Sequence, residues 1–267
     1  MTTTASASST RSAESSRRPD PVVRRAVILA AGSGERLRSV VDDRPKGLVE
    51  IDGETLVARS VRLLRAAGVD AITIVAGYRA DDYVHFASGQ SDIRVVLNTC
   101  FATTGSMASL DVGLAAVDGD VLIVESDIVY ESRALTAILA APDRDATLVS
   151  GPTAAGDEVW VSGPAGRVRT MSKDRAGLTD VVGELVGITR LSPAACAALR
   201  ASFAQFVRER GHGRMNYDTD ALVTIAATMP ISAVVMPDLC WGEIDDECQL
   251  QRVIGLVLGP LRSSPSL

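Results

Sequence analysis

Two runs of this chain carry residue types that can do chemistry together. The first, "VILAAGSGERLRSVVDDRPKG" from Val27 to Gly47, sets Gly32 and Gly34 directly after an apolar stretch, then brings Arg36 and, past Pro45, Lys46. Glycines at such a turn let backbone N–H groups close on a phosphate, because no Cβ blocks the approach. The second, "LIVESDIVY", ends an apolar stretch in Glu125 and Asp127. Two residues apart on a strand, those carboxylates share one face. Acids at a strand end can hold the divalent ion that a polyphosphate needs. A dinucleotide fold would want a third glycine where Leu37 stands, and an acid closing the second strand, which instead runs into "VAGYRADD". A Walker-type loop would want Gly-Lys-Ser/Thr at once, whereas Lys46 follows Gly34 only after a long loop and a proline.

The elements that must position these residues alternate. Val22 to Leu29, Ala71 to Gly77, Ile93 to Asn98 and Asp120 to Asp127 read as buried strands. Glu54 to Ala67, stopped by Gly68, reads as a helix, as do Ser106 to Val117 and Ser132 to Ala141. That order predicts a mostly parallel sheet covered on both faces, with ligands at the carboxyl ends of its strands. After Thr147 the pattern shifts to a hairpin around "GPAG", a strand in "ELVGITRLS", a helix over Pro193 to Arg208, a strand in "ISAVVMP" and a closing helix from Asp246 to Leu258 capped by Asp246. The expected architecture is an α/β Rossmann-like three-layer sandwich, a mostly parallel mixed sheet with antiparallel insertions. It comprises one domain over 23–260, with a disordered tail over 1–22 and a short tail over 261–267.

Composition narrows the partners. Of the 267 residues, 46% are hydrophobic, enough for one sizeable core, and the net charge is −6. That disfavours a nucleic-acid surface, which is usually basic. No apolar run is long enough to span a membrane. The Ser/Thr/Ala-rich start lacks the apolar core of a secretory signal, and the four cysteines form no CxxC pair. A cytoplasmic protein with reduced thiols and no zinc site is the expectation.

"LAAGSGERL…RPKGLVEIDG" resembles the N-terminal signature of the nucleotidyltransferases that use a nucleoside triphosphate and release pyrophosphate. The match runs through Leu29, Ala30, Ala31, Gly32, Gly34, Arg36, Pro45 and Lys46. With "VAGY", "NTCFATTGSMASLDVGL", "ESD" and "WGEIDDECQ", the chain from about 25 to 258 is most similar to bacterial phosphocholine and 2-aminoethylphosphonate-type cytidylyltransferases. The resemblance implies a GT-A-like nucleotidyltransferase fold and a Mg2+-dependent transfer of CMP from CTP to a small phosphonate or phosphate acceptor. Lys46 and Arg36 would be catalytic, meeting the α-phosphate and the leaving pyrophosphate; Arg38 and Arg44 read as solvated cations. The nucleotide would lie on Leu29, Ala30, Ala31, Gly32, Ser33 and Gly34, with Gly77 and Tyr78 beside the base and Asn98, Ser106 and Ser109 nearby. Asp127 and Asp245 would hold the metal, with Glu243 as a further ligand.

The acceptor end departs from the resemblance. "MNYDTDALV" puts Thr219 where the family's acid aligns, between Asp218 and Asp220, and aromatic residues make up only 4% of the chain. A choline box wants several aromatics. The expected acceptor is therefore a small phosphonate, with one lacking a positive amine left open. Glu125, Lys173, Arg214, Asp218, Thr219 and Asp220 are the candidate acceptor contacts, with Arg169, Arg175 and His212 as further cations for an anion. Phosphocholine or sugar-1-phosphate transfer and a non-catalytic nucleotide sensor are the alternatives. A homodimer is compatible with the sequence.

Overall fold

A computed structural model describes residues 23–37 and 43–263. The expected tail over 1–22, Arg38 and positions 264–267 lie outside the described residues. Strand β1 (Arg25–Ala30) is followed by two short paired strands, β2 (Glu50–Ile51) and β3 (Glu54–Thr55), and helix α1 (Leu56–Ala66). Then come β4 (Ala71–Ala76), α2 (Ala80–Ala87), β5 (Ile93–Leu97), α3 (Ser106–Leu114), β6 (Val121–Glu125) and β7 (Ile128–Tyr130). Helix α4 (Arg133–Leu139), β8 (Ala146–Ser150), β9 (Trp160–Ser162), β10 (Thr170–Ser172) and β11 (Val181–Leu191) follow. The chain closes with α5 (Pro193–Arg210), α6 (Val223–Ala226), β12 (Ser232–Met236), β13 (Trp241–Glu243), α7 (Glu247–Arg252) and α8 (Leu258–Ser263).

The main sheet runs β10-β9-β11-β6-β1-β4-β5, with β8 beside β11 and β12 beside β8. β1 pairs in parallel with β4 and β6, and β4 with β5, whereas β11 is antiparallel to β6, β8 and β9. Alternation along β1 feeds two cores. Ala26, Ile28 and Ala30 pack with Val61, Leu64 and Leu135 on one side, and Val27 packs with Met107, Leu110 and Leu199 on the other. Burial on both faces is why these strands read as continuous apolar runs. The chain steps outward from β1 to β4 and β5, then returns to the opposite side of β1 as β6. That reversal leaves a crevice at the carboxyl ends of β1 and β6, where open α/β sheets bind ligands.

Local signals place the helix ends. The Thr55 hydroxyl accepts from the N–H of Ala58 at 3.2 Å, and Gly68, at φ +91°, ends α1 as expected. Ser192 caps α5 and Asp246 caps α7, the latter as expected. Three expectations are corrected. The strand meant to run to Asp127 stops at Glu125, because residues 126–127 turn out of the sheet into β7. The closing helix is broken by a π-helical stretch over Val253–Val257, and α8 carries on to Ser263, past the expected domain end at 260. Helix α2, strand β8 and the helical segment starting at Tyr217 were not foreseen. Among the described residues, no helix is long and apolar enough to cross a membrane.

Candidate active site

The loop after β1 is shaped by close approaches. The Tyr78 N–H donates to Ala31 O at 3.1 Å, and a Cβ on Gly77 would stand 2.7 Å from that same oxygen. Gly34 takes φ +60°, and a Cβ there would sit 2.7 Å from Lys46 Cγ. Around Gly32 nothing lies within 4 Å of a Cβ position, so its backbone faces open space. The turn therefore closes onto the Lys46 stem and stays open at its tip. Beside it is a cavity of about 280 Å³. Leu29, Ala30, Ala31, Gly32, Gly34, Ser106 and Ser109, each named from the sequence as a nucleotide contact, line it together with Lys46, Glu125 and Asp127. Four expected contacts do not line it. Ser33 turns its hydroxyl to Glu35, and Gly77 packs behind Ala31. The Tyr78 hydroxyl donates to Asp43 at 2.6 Å. Buried Asn98 donates to Ser109 Oγ at 3.0 Å and accepts from the Cys100 N–H at 3.0 Å, so it braces the wall from behind. Phe101, Thr104, Tyr83 and Tyr217 line the cavity unforeseen. The first two fell inside the quoted 98–114 segment, but its pattern did not show which side chains turn inward.

A small two-stranded sheet assembles the acids. β7 and β13 pair antiparallel, Ile128 opposite Glu243, and the Ile244 N–H donates to Asp127 O at 2.9 Å. This carries Glu243 and Asp245 to the turn holding Asp127. Lys46 Nζ lies 3.4 Å from Asp127 Oδ2 and also binds Asp245, whose other oxygen takes Arg36. The predicted catalytic cations and the predicted metal acids thus meet in one cluster. Carboxylate oxygens of Glu125, Asp127 and Glu243 lie within 4.8 Å of one another, as do those of Asp157, Glu243 and Asp245. Burial, then Asp127 and Asp157, push the Glu243 carboxyl up to about 8, against Lys46 and Lys173. Glu125 is also raised well above its ordinary value, by burial first and then by Glu243, Asp127 and Asp218. The Tyr217 hydroxyl donates to it at 2.5 Å and opposes that rise. An all-oxygen set of mutually repelling acids suits a hard divalent cation such as Mg2+.

A second chamber of about 110 Å³ opens behind Glu125 and Asp218, which line both spaces. Asp157, Glu158, Glu184 and Glu243 add four more carboxylates, against a single cation, Lys173, and one indole, Trp241. Gly187, at φ +80°, makes room for Glu125: a Cβ would stand 2.9 Å from its carboxyl carbon. Asp157, Glu158 and Glu184 gave no sequence signal, because the adjacent pair Asp157–Glu158 on a loop and the single Glu184 on β11 belong to no motif. Thr219 and Asp220 line an outer recess with Lys173 and Asp218, not the chamber. Of the cations expected to meet an anionic acceptor, only Lys173 reaches these spaces. Arg214 and Arg169 are exposed and line neither cavity, Arg175 stacks on Trp160 at 4.5 Å, and His212 packs edge-on against Phe206.

Comparison with known proteins agrees with this fold. A family profile described as "MobA-like NTP transferase domain" matches residues 26–215. The CMP-5'-(3-aminopropyl)phosphonate synthase of Streptomyces rubellomurinus is 30% identical over 85% of this chain and 38% of its own length, so the chain spans under half of that relative. The 2-aminoethylphosphonate cytidylyltransferase of Lancefieldella rimae is 26% identical over 72% of this chain and 77% of its own. Among solved structures, the inositol-1-phosphate CTP transferase from T. maritima superposes with a TM-score of 0.75 at 21% identity, covering 92% of this chain and 99% of its own.

Proposed function

The chain belongs to the family of MobA-like NTP transferase domains, and on that premise we propose that it transfers CMP from CTP to a small phosphonate bearing a primary ammonium group. The observation that carries the acceptor is the acidic chamber joined to the nucleotide cavity through Glu125 and Asp218. Similarity to aminophosphonate cytidylyltransferases supports the same chemistry. The sequence left open an acceptor without an amine because Thr219 stands where an acid aligns. The carboxylates of Asp157, Glu158 and Glu184 supply that charge from elsewhere in the fold. A quaternary ammonium wants an aromatic cage. This chamber offers one indole and, beside Glu125 and Glu243 of the metal set, four further acids, Asp157, Glu158, Glu184 and Asp218, which suit the three N–H donors of a primary ammonium.

In this reading the triphosphate lies over the glycine turn, and Arg36 and Lys46 exchange their Asp245 contacts for phosphate oxygens. An oxygen of the acceptor's phosphonate attacks the α-phosphorus, the bond to the bridging oxygen of the pyrophosphate breaks, and pyrophosphate departs. The attacking oxygen is already ionised near neutral pH, so no general base is needed. Lys46 would stabilise charge growing on the α-phosphate, and Arg36 the leaving group. Glu125, Asp127, Glu243 and Asp245 would hold Mg2+, which supplies charge neutralisation of the triphosphate when bound.

The test is pyrophosphate release from CTP with 2-aminoethylphosphonate, 3-aminopropylphosphonate, phosphocholine, ethylphosphonate and glucose 1-phosphate. The aminoalkylphosphonates are expected to give the highest kcat/KM, and EDTA to abolish release. Equal rates with ethylphosphonate would remove the chamber from the account.

A further inference from the structure

Helix α7 starts directly after the Glu243–Asp245 acids and packs toward the loop between β8 and β9. Gln249 lies in its first turn, 3% exposed, with both ends of its amide engaged. Its Oε1 accepts from the backbone N–H of Asp245 at 2.6 Å, and its Nε2 donates to Asp157 Oδ1 at 2.7 Å. Its own N–H donates to the capping Asp246 at 2.9 Å, so the backbone from which the side chain reaches is fixed. The amide offers an acceptor at one end and a donor at the other, as these two partners require.

The two groups it joins belong to different parts of the site. Asp245 holds Lys46 and Arg36 and sits in the predicted metal set. Asp157 lines the acceptor chamber and closes on Glu243 and Asp245. One turn further, Arg252 donates to Thr153 O at 2.7 Å, tying the start of that same loop. Arg252 fixes where the loop leaves the sheet; Gln249 fixes where its carboxylate ends.

We propose that Gln249 is a positioning residue that holds both the metal acid Asp245 and the acceptor acid Asp157, one bond serving metal affinity and the other acceptor affinity. This rests on the cytidylyltransferase reading above. Two variants of the full chain separate its two bonds. Gln249→Met removes both, and Gln249→Glu keeps the acceptor for Asp245 while setting a carboxylate against Asp157. Mn2+ binding in the presence of CTP is followed by electron paramagnetic resonance, and the KM values for 2-aminoethylphosphonate and CTP by pyrophosphate release.

In Gln249→Met, Mn2+ affinity should fall and the acceptor KM rise, each by about tenfold, the range seen when groups behind metal ligands are removed. The KM for CTP should stay within about twofold, since the glycine turn and Lys46 are untouched. Gln249→Glu should raise the acceptor KM while leaving Mn2+ affinity near the wild-type value. A change in only one of the two quantities in Gln249→Met, or a lower melting temperature with both unchanged, overturns this double role. If Gln249→Met does not fold, Gln249→Glu decides: an unchanged acceptor KM overturns it. Should the wild type release no pyrophosphate with any acceptor, the functional reading fails, and Mn2+ affinity alone still decides whether Gln249 positions Asp245.

Discussion

Gly34 and Lys46 are twelve positions apart, yet the glycine's missing side chain is what lets the lysine stem lie across the turn, since a Cβ would stand 2.7 Å from Lys46 Cγ. Two substitutions test this contact from its two sides. Lys46→Ala should lower kcat by about 10²–10³-fold, the usual cost of one preorganised group that stabilises transition-state charge. Gly34→Ala adds strain at φ +60° and pushes the lysine aside, so its kcat should fall in the same direction with Lys46 still present. Steady-state kinetics and thermal melting of both variants are the check. A Lys46→Ala enzyme at wild-type kcat would remove Lys46 from catalysis. At this scale the sequence was readable where a fixed motif met a fixed turn: Gly32, Gly34, Arg36 and Lys46 all stand at the site. It failed where side-chain direction decides. Asn98 and Tyr78 sit at the ends of the expected strands, but one braces the wall and the other turns to Asp43.

The parallel strands and their helices were legible because periodicity is local. The pairing of β7 with β13 was not, for each is three residues long and its partner is more than a hundred positions away. That pairing nonetheless gathers Asp127, Glu243 and Asp245. Glu184 shows a second long-range tie. From β11 it accepts the Thr153 N–H at 2.6 Å and the Thr153 hydroxyl at 2.8 Å, holding the loop that carries Asp157 and Glu158. Burial pushes the Glu184 carboxyl up despite those bonds, with Glu158 adding to the rise and Arg252 opposing it. The folded chain then keeps a proton that the unfolded chain gives up at the ordinary value of 4.5. This contribution to stability is full below that pH and is lost as pH rises through the raised value. Glu184→Gln keeps an acceptor for Thr153 and cannot ionise. Its melting temperature should therefore fall less than the wild type's as pH is raised from about 4.5 to about 8. Parallel curves would show that Glu184 does not titrate in this range.

Over the whole molecule, the reversal of strand order at β1 and β6 sets the nucleotide cavity, and the antiparallel half of the sheet adds the chamber behind it. The sequence indicated the first, through the glycine turn and the strand-end acids. Of the second it indicated Glu125, Lys173, Asp218 and Glu243, but not Asp157, Glu158 and Glu184, which complete the chamber from other parts of the chain. The sequence points to the proposed reaction through its first fifty residues, whereas in this account the acceptor would be selected by residues that only folding brings together. The central claim is that a phosphonate oxygen, and not the amine, takes the CMP group. The most direct measurement is 31P NMR of CTP, Mg2+ and 2-aminoethylphosphonate incubated with the enzyme. The account predicts free pyrophosphate together with a product whose phosphonate and α-phosphate phosphorus nuclei are scalar-coupled across one bridging oxygen. Consumption of CTP with an uncoupled phosphonate resonance, or no new phosphorus–phosphorus coupling under conditions where CTP binds, would contradict it.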